Sequence, residues 1–138
     1  MPKTFEMPQK VLFKHCDPAG IVFFPRYFEM MNDCVEAFFD QALGLPFETL
    51  HRRFAVPTAA IETEFRRPSR HGDALVLSLH TASLGRSSWR YRMTCRAGDE
   101  IRFLTRATRV QIDSAGKPTP WPEALRQTLT DYEADHDP

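Results

Sequence analysis

The chain lacks the marks of several large protein classes. No apolar run approaches the roughly 18 residues that would span a bilayer, and Met1 to Lys10 mixes Lys and Glu with scattered apolar residues instead of forming a signal-peptide core. A cytoplasmic protein with no membrane partner is the expectation. Cysteine is scarce. Cys16, Cys34 and Cys95 are odd in number and widely spaced, which excludes both a disulfide framework and a Cys-x-x-Cys pair. Buried free thiols are expected. His15, His51, His71 and His80 show no His-x-x-x-His spacing, so they read as structural or surface groups and no metal is expected. Repeats and low-complexity tracts are absent.

Net charge is also missing, with 18 basic against 18 acidic residues, but the distribution is uneven. Between Arg66 and Arg109, ten arginines face only Asp73, Asp99 and Glu100, a local excess of +7 without a single lysine. Any one of these arginines reads most simply as part of a solvated sheet face. Together they suggest a polyanionic, nucleotide-like ligand, because the guanidinium fork suits phosphate. The length of 138 residues fits one domain. A domain of this size buries about two-thirds of its unfolded surface and needs no staple.

Eleven prolines fall mostly between segments and act as punctuation. Lys10 to His15 reads as a short strand. Pro25 to Leu43 reads as the one long helix: Phe28, Met31, Val35, Phe38, Phe39 and Ala42 recur at helical spacing, Pro25 suits the first helical position, and Gly44 suits the stop. Further on the period changes. Trp89, Tyr91, Met93 and Cys95 alternate with Arg90, Arg92, Thr94 and Arg96, a strand with one buried and one wet face. Ala97-Gly98-Asp99 turns the chain into a second long strand, Ile101 to Ile112, while Ala74 to Leu84 and Ala59 to Phe65 supply two more. Glu123 to Glu133 reads as a short C-terminal helix. The predicted class is α+β, with one apolar helix on a curved five-stranded antiparallel sheet. A single helix covers such a sheet poorly, so oligomerisation is expected.

The informative stretch is His15-Cys16-Asp17-Pro18-Ala19-Gly20-Ile21-Val22-Phe23-Phe24-Pro25-Arg26-Tyr27-Phe28, which joins the first strand to the helix. Asp17 is the only acid in the loop and precedes the apolar run Ile21 to Phe24, a setting that suits a catalytic carboxylate. Asp-Pro-Ala-Gly is equally a plain turn in which Asp17 hydrogen-bonds its own loop. Phe24, before Pro25, has no side chain that caps a helix, so the first-turn N–H groups lack a local partner. A helix N-terminus of this kind can polarise a carbonyl or hold an anion.

The stretch resembles the active-site segment of the 4-hydroxybenzoyl-CoA thioesterase family of hotdog-fold proteins, with its acid-Pro-Ala-Gly-Ile-Val run, aromatics, proline and aromatic helix start. Ile61 to Asp73, with Arg-Arg-Pro and then Gly-Asp, adds a second likeness, and a weaker one runs from about Val11 to Ile112. The resemblance implies a hotdog fold, a sheet wrapped round the central helix in a domain spanning residues 1–138, with its core at about 8–113 and a C-terminal tail at 114–138. It implies homodimers, commonly paired into homotetramers. It also implies hydrolysis of an acyl-CoA thioester, with coenzyme A as part of the substrate and no separate cofactor.

Asp17 then matches the catalytic carboxylate, as nucleophile or as general base. The Phe24 backbone N–H matches the group that polarises the thioester carbonyl. Arg86, Ser87 and Ser88 match a basic and hydroxyl turn set against the nucleotide, although each also reads as a hairpin residue. Arg66, Arg67 and Arg70 are further candidate phosphate contacts from a neighbouring subunit. Phe23, Tyr27 and Phe28 offer aromatic walls for a benzoyl-type group, with Phe28 more simply a core residue. Asn32 stands where members that take the hydroxybenzoyl group carry an acid, and Asp33 points about 100° away. The rivals are a hotdog 3-hydroxyacyl thioester dehydratase, whose histidine motif is absent, and a non-catalytic acyl-CoA-binding module. Nucleic-acid binding is disfavoured by the balanced charge.

Overall fold

Alternation decides which face of each strand meets the long helix, and the computed structural model, which describes residues 3–134, follows it closely. Five strands, β1 (Phe5–Lys10), β2 (Thr58–Phe65), β3 (Ala74–Leu84), β4 (Ser88–Ala97) and β5 (Glu100–Val110), form one antiparallel sheet in the order β1-β3-β4-β5-β2. Helix α1 (Phe24–Gln41) lies along its inner face, while α2 (Phe47–Leu50) and α3 (Glu123–Asp131) close one end. The expected Trp89, Tyr91, Met93 and Cys95 row is buried against α1. Tyr27, Met30, Met31, Cys34, Val35, Phe38 and Phe39 face it from the helix.

The N-terminal strand differs from expectation. It runs over Phe5–Lys10, not Lys10 to His15. Phe5, Met7 and Gln9 turn inward opposite Leu79, Leu77 and Leu75, and Pro8 is tolerated because β1 is an edge strand. Phe13–His15 instead makes a 3₁₀ turn, closed by His15 N–H to the Leu12 carbonyl (3.0 Å) and by Leu12 N–H to His15 Nδ1 (2.9 Å). The helix starts one residue before Pro25 and stops at Gln41, with Gly44 at φ 62° in the turn beyond it.

The outer face of the sheet is less wet than alternation alone implies. Thr94 is fully buried there, a short side chain lying between Ser78 and Leu104 across the strands and flanked by Arg92 and Arg96. The C-terminal segment does more than trail behind a core ending near 113. Trp121, Leu125 and Leu129 are buried, and Thr81 exchanges backbone hydrogen bonds with Tyr132 and Ala134. The expected domain bounds of 1–138 run past the described residues at both ends.

Candidate active site

Four short hydrogen bonds shape the loop before α1. Asp17 N–H donates to the Ile21 carbonyl (3.0 Å), Gly20 N–H to the Asp17 carbonyl (2.9 Å), Phe23 N–H to the His15 carbonyl (3.0 Å) and Val22 N–H to the Ser69 carbonyl (2.8 Å). Gly20 sits at φ 82°, which side-chain-bearing residues resist. Asp17 is half-buried, and its Oδ1 accepts the Ala19 N–H at 2.8 Å. The turn reading of Asp17 therefore holds for one oxygen. Oδ2 has no partner among the described residues.

Behind this loop stands a polar latch that the sequence reading did not isolate. Arg102 Nη1 donates to Asp73 Oδ2 (2.7 Å), Ser69 Oγ (3.0 Å) and the Pro68 carbonyl (3.2 Å), and Arg102 Nε pairs with Glu100 (2.8 Å). The Arg102 side chain, with the Arg70 N–H, holds the Asp73 carboxyl below the usual carboxylate range. The latch anchors the strand of backbone that receives Val22. Its signal was present in the Gly72-Asp73 pair, but it was submerged in a block of arginines read as one charge patch.

At the start of α1 the N-cap residue is Phe23, without a capping side chain, and Pro25 has no N–H. The Phe24 N–H finds no acceptor among the described residues. Three aromatic rings cluster at this end of the helix: Phe24 lies 6.5 Å from Phe28 and 6.3 Å from Phe65, and Phe28 lies 6.2 Å from Phe65, all edge-to-face. Phe23, 5.7 Å from Phe24, is also exposed. Beside them Ile21, Val22, Phe24, Tyr27, Phe65 and Pro68, with Arg66 and Arg67, line an open depression of about 280 Å³. Asp17 stands on the loop that supplies Ile21 and Val22 but does not itself line this depression.

Two expected wall residues differ in exposure. Tyr27 is buried, stacked on Phe65 at 5.7 Å and tilted against Phe103 at 5.0 Å, and burial pushes its phenol up, with Ser69 acting against the shift. Phe28 keeps a partly open face. Phe65 and Ile61 on β2, absent from the expected site, supply the exposed apolar surface opposite the helix. Asn32 is exposed on α1, where its Oδ1 accepts from Arg109 Nη2 at 3.0 Å.

The expected nucleotide contacts are not brought to this end. Arg86 and Ser87 lie in the turn between β3 and β4 and Ser88 opens β4, beside Trp89 and the C-terminal half of α1. The ten residues of β4 separate that turn from the latch by about 30 Å. Within one chain the basic residues nearest the depression are Arg66 and Arg67, with Arg70 bridged to Ile21. His15 is buried and accepts the Leu12 N–H, which makes it a brace for the loop. Burial, then the Lys14 charge, lowers its pKa. Cys34 and Cys95 are buried thiols, each pushed up to about 12 by desolvation, whereas Cys16 is only half-buried. Among the described residues no group of three or more His, Cys, Asp or Glu could hold a metal ion, and no helix is long and apolar enough to cross a membrane.

Comparison with known proteins bears on this arrangement. The family described as the thioesterase-like superfamily matches residues 11–129, which takes in most of the C-terminal segment. The 4-hydroxybenzoyl-CoA thioesterase of Pseudomonas sp. (strain CBS-3) is 26% identical over 119 residues, covering 81% of this chain and 84% of that protein. The crystal structure of a 1,4-dihydroxy-2-naphthoyl-CoA thioesterase from Synechocystis superposes with a TM-score of 0.86 at 19% identity, covering 94% of this chain and 97% of that one. A gentisyl-coenzyme A thioesterase structure gives a TM-score of 0.79 at 22% identity, covering 90% and 99%. The chain thus belongs to the thioesterase-like superfamily, hotdog-fold hydrolases that act on thioesters.

Proposed function

We propose that this chain hydrolyses a small acyl-CoA, with an aryl, benzoyl-type group as the leading substrate class. The observation that carries the reading is the unfinished N-terminus of α1. A helix end bears about half a positive charge. Here its Phe24 N–H has no partner among the described residues, its mouth is aromatic, and a carboxylate stands on the loop tied to it. A thioester oxygen placed on that N–H gains stabilisation as it becomes an oxyanion. Asp17 either attacks the carbonyl carbon, expelling the CoA thiolate to leave a mixed anhydride that water cleaves, or takes a proton from the water that attacks. Its second oxygen supplies the lone pair in either case. A carboxylate, a helix end and water suffice, so the reaction needs no cofactor beyond the coenzyme A carried by the substrate.

The identities of the relatives support an aryl group: three are named as thioesterases of hydroxybenzoyl-, dihydroxynaphthoyl- and gentisyl-CoA. The position of Arg66 and Arg67 at the depression, with Arg70 bridged to Ile21, supports contacts to CoA phosphates there, and Arg86, Ser87 and Ser88 would serve that role from a neighbouring subunit. Assembly belongs to this reading. Strand β2 is a sheet edge with no partner on one side among the described residues, and Ile61 and Phe65 are exposed on its inner face. Pairing of β2 edges in a homodimer, with dimers joined into a homotetramer, would cover them. The free thiols and a CoA substrate support a cytoplasmic setting.

One observation favours a second reading, a non-catalytic acyl-CoA-binding module: Asp17 Oδ1 is already engaged by Ala19. Thiol release from benzoyl-, hydroxybenzoyl-, phenylacetyl- and short aliphatic CoA esters separates the two. The hydrolase reading predicts turnover fastest with an aryl ester. Binding of the esters with no thiol released would establish the module instead.

A further inference from the structure

Arg109, on the inner face of β5, is only 7% exposed. Its Nε donates to Tyr91 Oη (3.3 Å), Nη1 to the Val56 carbonyl (3.2 Å) and Nη2 to Asn32 Oδ1 (3.0 Å). All three acceptors are neutral. Among the described residues no carboxylate pairs with it, in contrast to Arg102 with Asp73 and Glu100, or Arg26 with Glu29. A buried charge without a counter-ion is costly. The Tyr91 ring, whose centroid lies 6.0 Å from the guanidinium carbon, offsets part of that cost. Packing alone would be served better by an apolar residue of similar volume.

The cation controls Asn32. A guanidinium has donors and no acceptor, so the Asn32 amide must present Oδ1 to it. The Nδ2 group is thereby turned away from Arg109. It has no acceptor among the described residues, and Asn32 is exposed. Helix α1 therefore carries an oriented pair of N–H donors backed by a buried positive charge. Asn32 follows Phe24 and Phe28 at steps of four, so the three share one stripe of the helix. Opposite that stripe stand Phe65, which packs on both phenylalanines, and Ile61, paired with Ala107 one inward position before Arg109. Phe24, Phe65 and Ile61 are 57%, 46% and 45% exposed, so the apolar face they form beside α1 is open to solvent.

Its length can be read from the helix. Eight residues rise about 12 Å. Subtracting a hydrogen bond of about 2.9 Å at the Phe24 N–H and another at Asn32 Nδ2 leaves about 6 Å. That is the span of one aromatic ring with a substituent atom.

We propose that Asn32, oriented and electrostatically backed by Arg109, forms the far end of the acyl pocket and selects an acyl group carrying a hydrogen-bond acceptor, best an anionic oxygen such as a ring carboxylate, one ring's length from the thioester carbonyl. The inference rests on the thioester reading of the helix N-terminus and deepens it. Arg109 is a positioning residue: it reaches the substrate through Asn32. An acid at position 32 would present acceptor oxygens to the cleft and favour a hydroxyl donor. The Asn32–Arg109 pair has the opposite polarity.

The test uses non-hydrolysable thioether analogues, phenacyl-CoA and its 4-hydroxy and 4-carboxy derivatives, with binding measured by calorimetry. The carboxy analogue is expected to bind wild type at least about tenfold more tightly than the unsubstituted one, with the hydroxy analogue between, since a site built for a hydrogen bond rejects a ligand that lacks it. Asn32→Asp keeps a partner for Arg109 but turns the exposed donor into an acceptor, and it should move the hydroxy analogue above the carboxy one. Arg109→Gln should remove most of the carboxy preference while leaving phenacyl-CoA binding within about threefold, a split that general loosening would not produce. If that variant does not fold, Asn32→Asp and Asn32→Leu carry the test. Equal binding of the three analogues to wild type, or an unchanged order in Asn32→Asp, overturns the proposal. Hydrolysis of the matching esters is followed in parallel. Ordered binding with no hydrolysis supports the pocket end and overturns the hydrolase reading, whereas hydrolysis with equal binding does the reverse.

Discussion

At its C-terminal end α1 carries Phe38 and Phe39, and at its N-terminal end Phe24 and Phe28. The first pair is fully buried: Phe38 stacks on Trp89 at 5.6 Å and meets Phe5, Phe39 and Tyr132 edge-on. Even the Trp89 indole N–H is satisfied there, by Thr81 Oγ1 at 2.8 Å. The second pair meets Phe65 and then solvent. One helix thus has a finished end and an open end, built from the same residue type. Aromatic content does not distinguish core from site. The difference lies in what surrounds the rings: at the closed end α3 and β1 complete the packing, and at the open end a loop leaves a backbone N–H and a carboxylate oxygen without partners among the described residues.

The contrast can be broken most strongly at its closed end. Phe38→Ala should cost about 3–5 kcal/mol, measured by urea denaturation, because a full aromatic volume is lost from a dry interior. Phe24→Ala should cost under about 0.5 kcal/mol while raising KM for aryl esters, since the ring is more than half exposed. Equal destabilisation by the two would erase the distinction between the ends.

A smaller effect should come from the latch that holds the open end in place. Asp73→Asn should destabilise by about 1–2 kcal/mol, the scale for hydrogen bonds to a charged group at a partly exposed site. The Asp73 contribution should be present above pH 3.8 and be lost as pH falls below that value, because its folded pKa is lowered.

The smallest effect separates the loop brace from the latch by pH. Burial lowers the His15 pKa from 6.5, so the folded chain favours the neutral ring that accepts the Leu12 N–H. Its stabilisation should be complete above pH 6.5 and fall away below it. His15→Asn keeps an acceptor near the Nδ1 position without titrating. Melting temperatures between pH 7 and 5 should fall in wild type and vary less in the variant.

Much of this was legible in the sequence because periodicity reports burial directly. The Trp89 to Cys95 alternation and the helical spacing from Met31 to Phe39 each survived as a packed face. The first strand was misplaced because Lys10 to His15 has strand composition, while the hydrogen bonds that fold Leu12 to His15 into a turn depend on a side-chain nitrogen that no pattern of hydrophobicity records. The loop from Asp17 to Phe24 was readable because turn chemistry is local. The partners of Arg102 and Arg109 were not, since they lie far away in sequence: Asp73 and Asn32 meet them only when the sheet has formed. For the same reason Phe65 and Ile61 went unnoticed, as their exposure reflects an edge position that only strand order reveals.

The most direct test of the open end as a reaction site is thiol release from an aryl-CoA by wild type and Asp17→Asn. The substitution keeps an Oδ1 acceptor for the Ala19 N–H, so the turn and the melting temperature should be preserved. A fall in kcat of about 10²–10⁴-fold in a folded variant is the predicted result. Undiminished turnover by Asp17→Asn would contradict the account and move the catalytic group elsewhere.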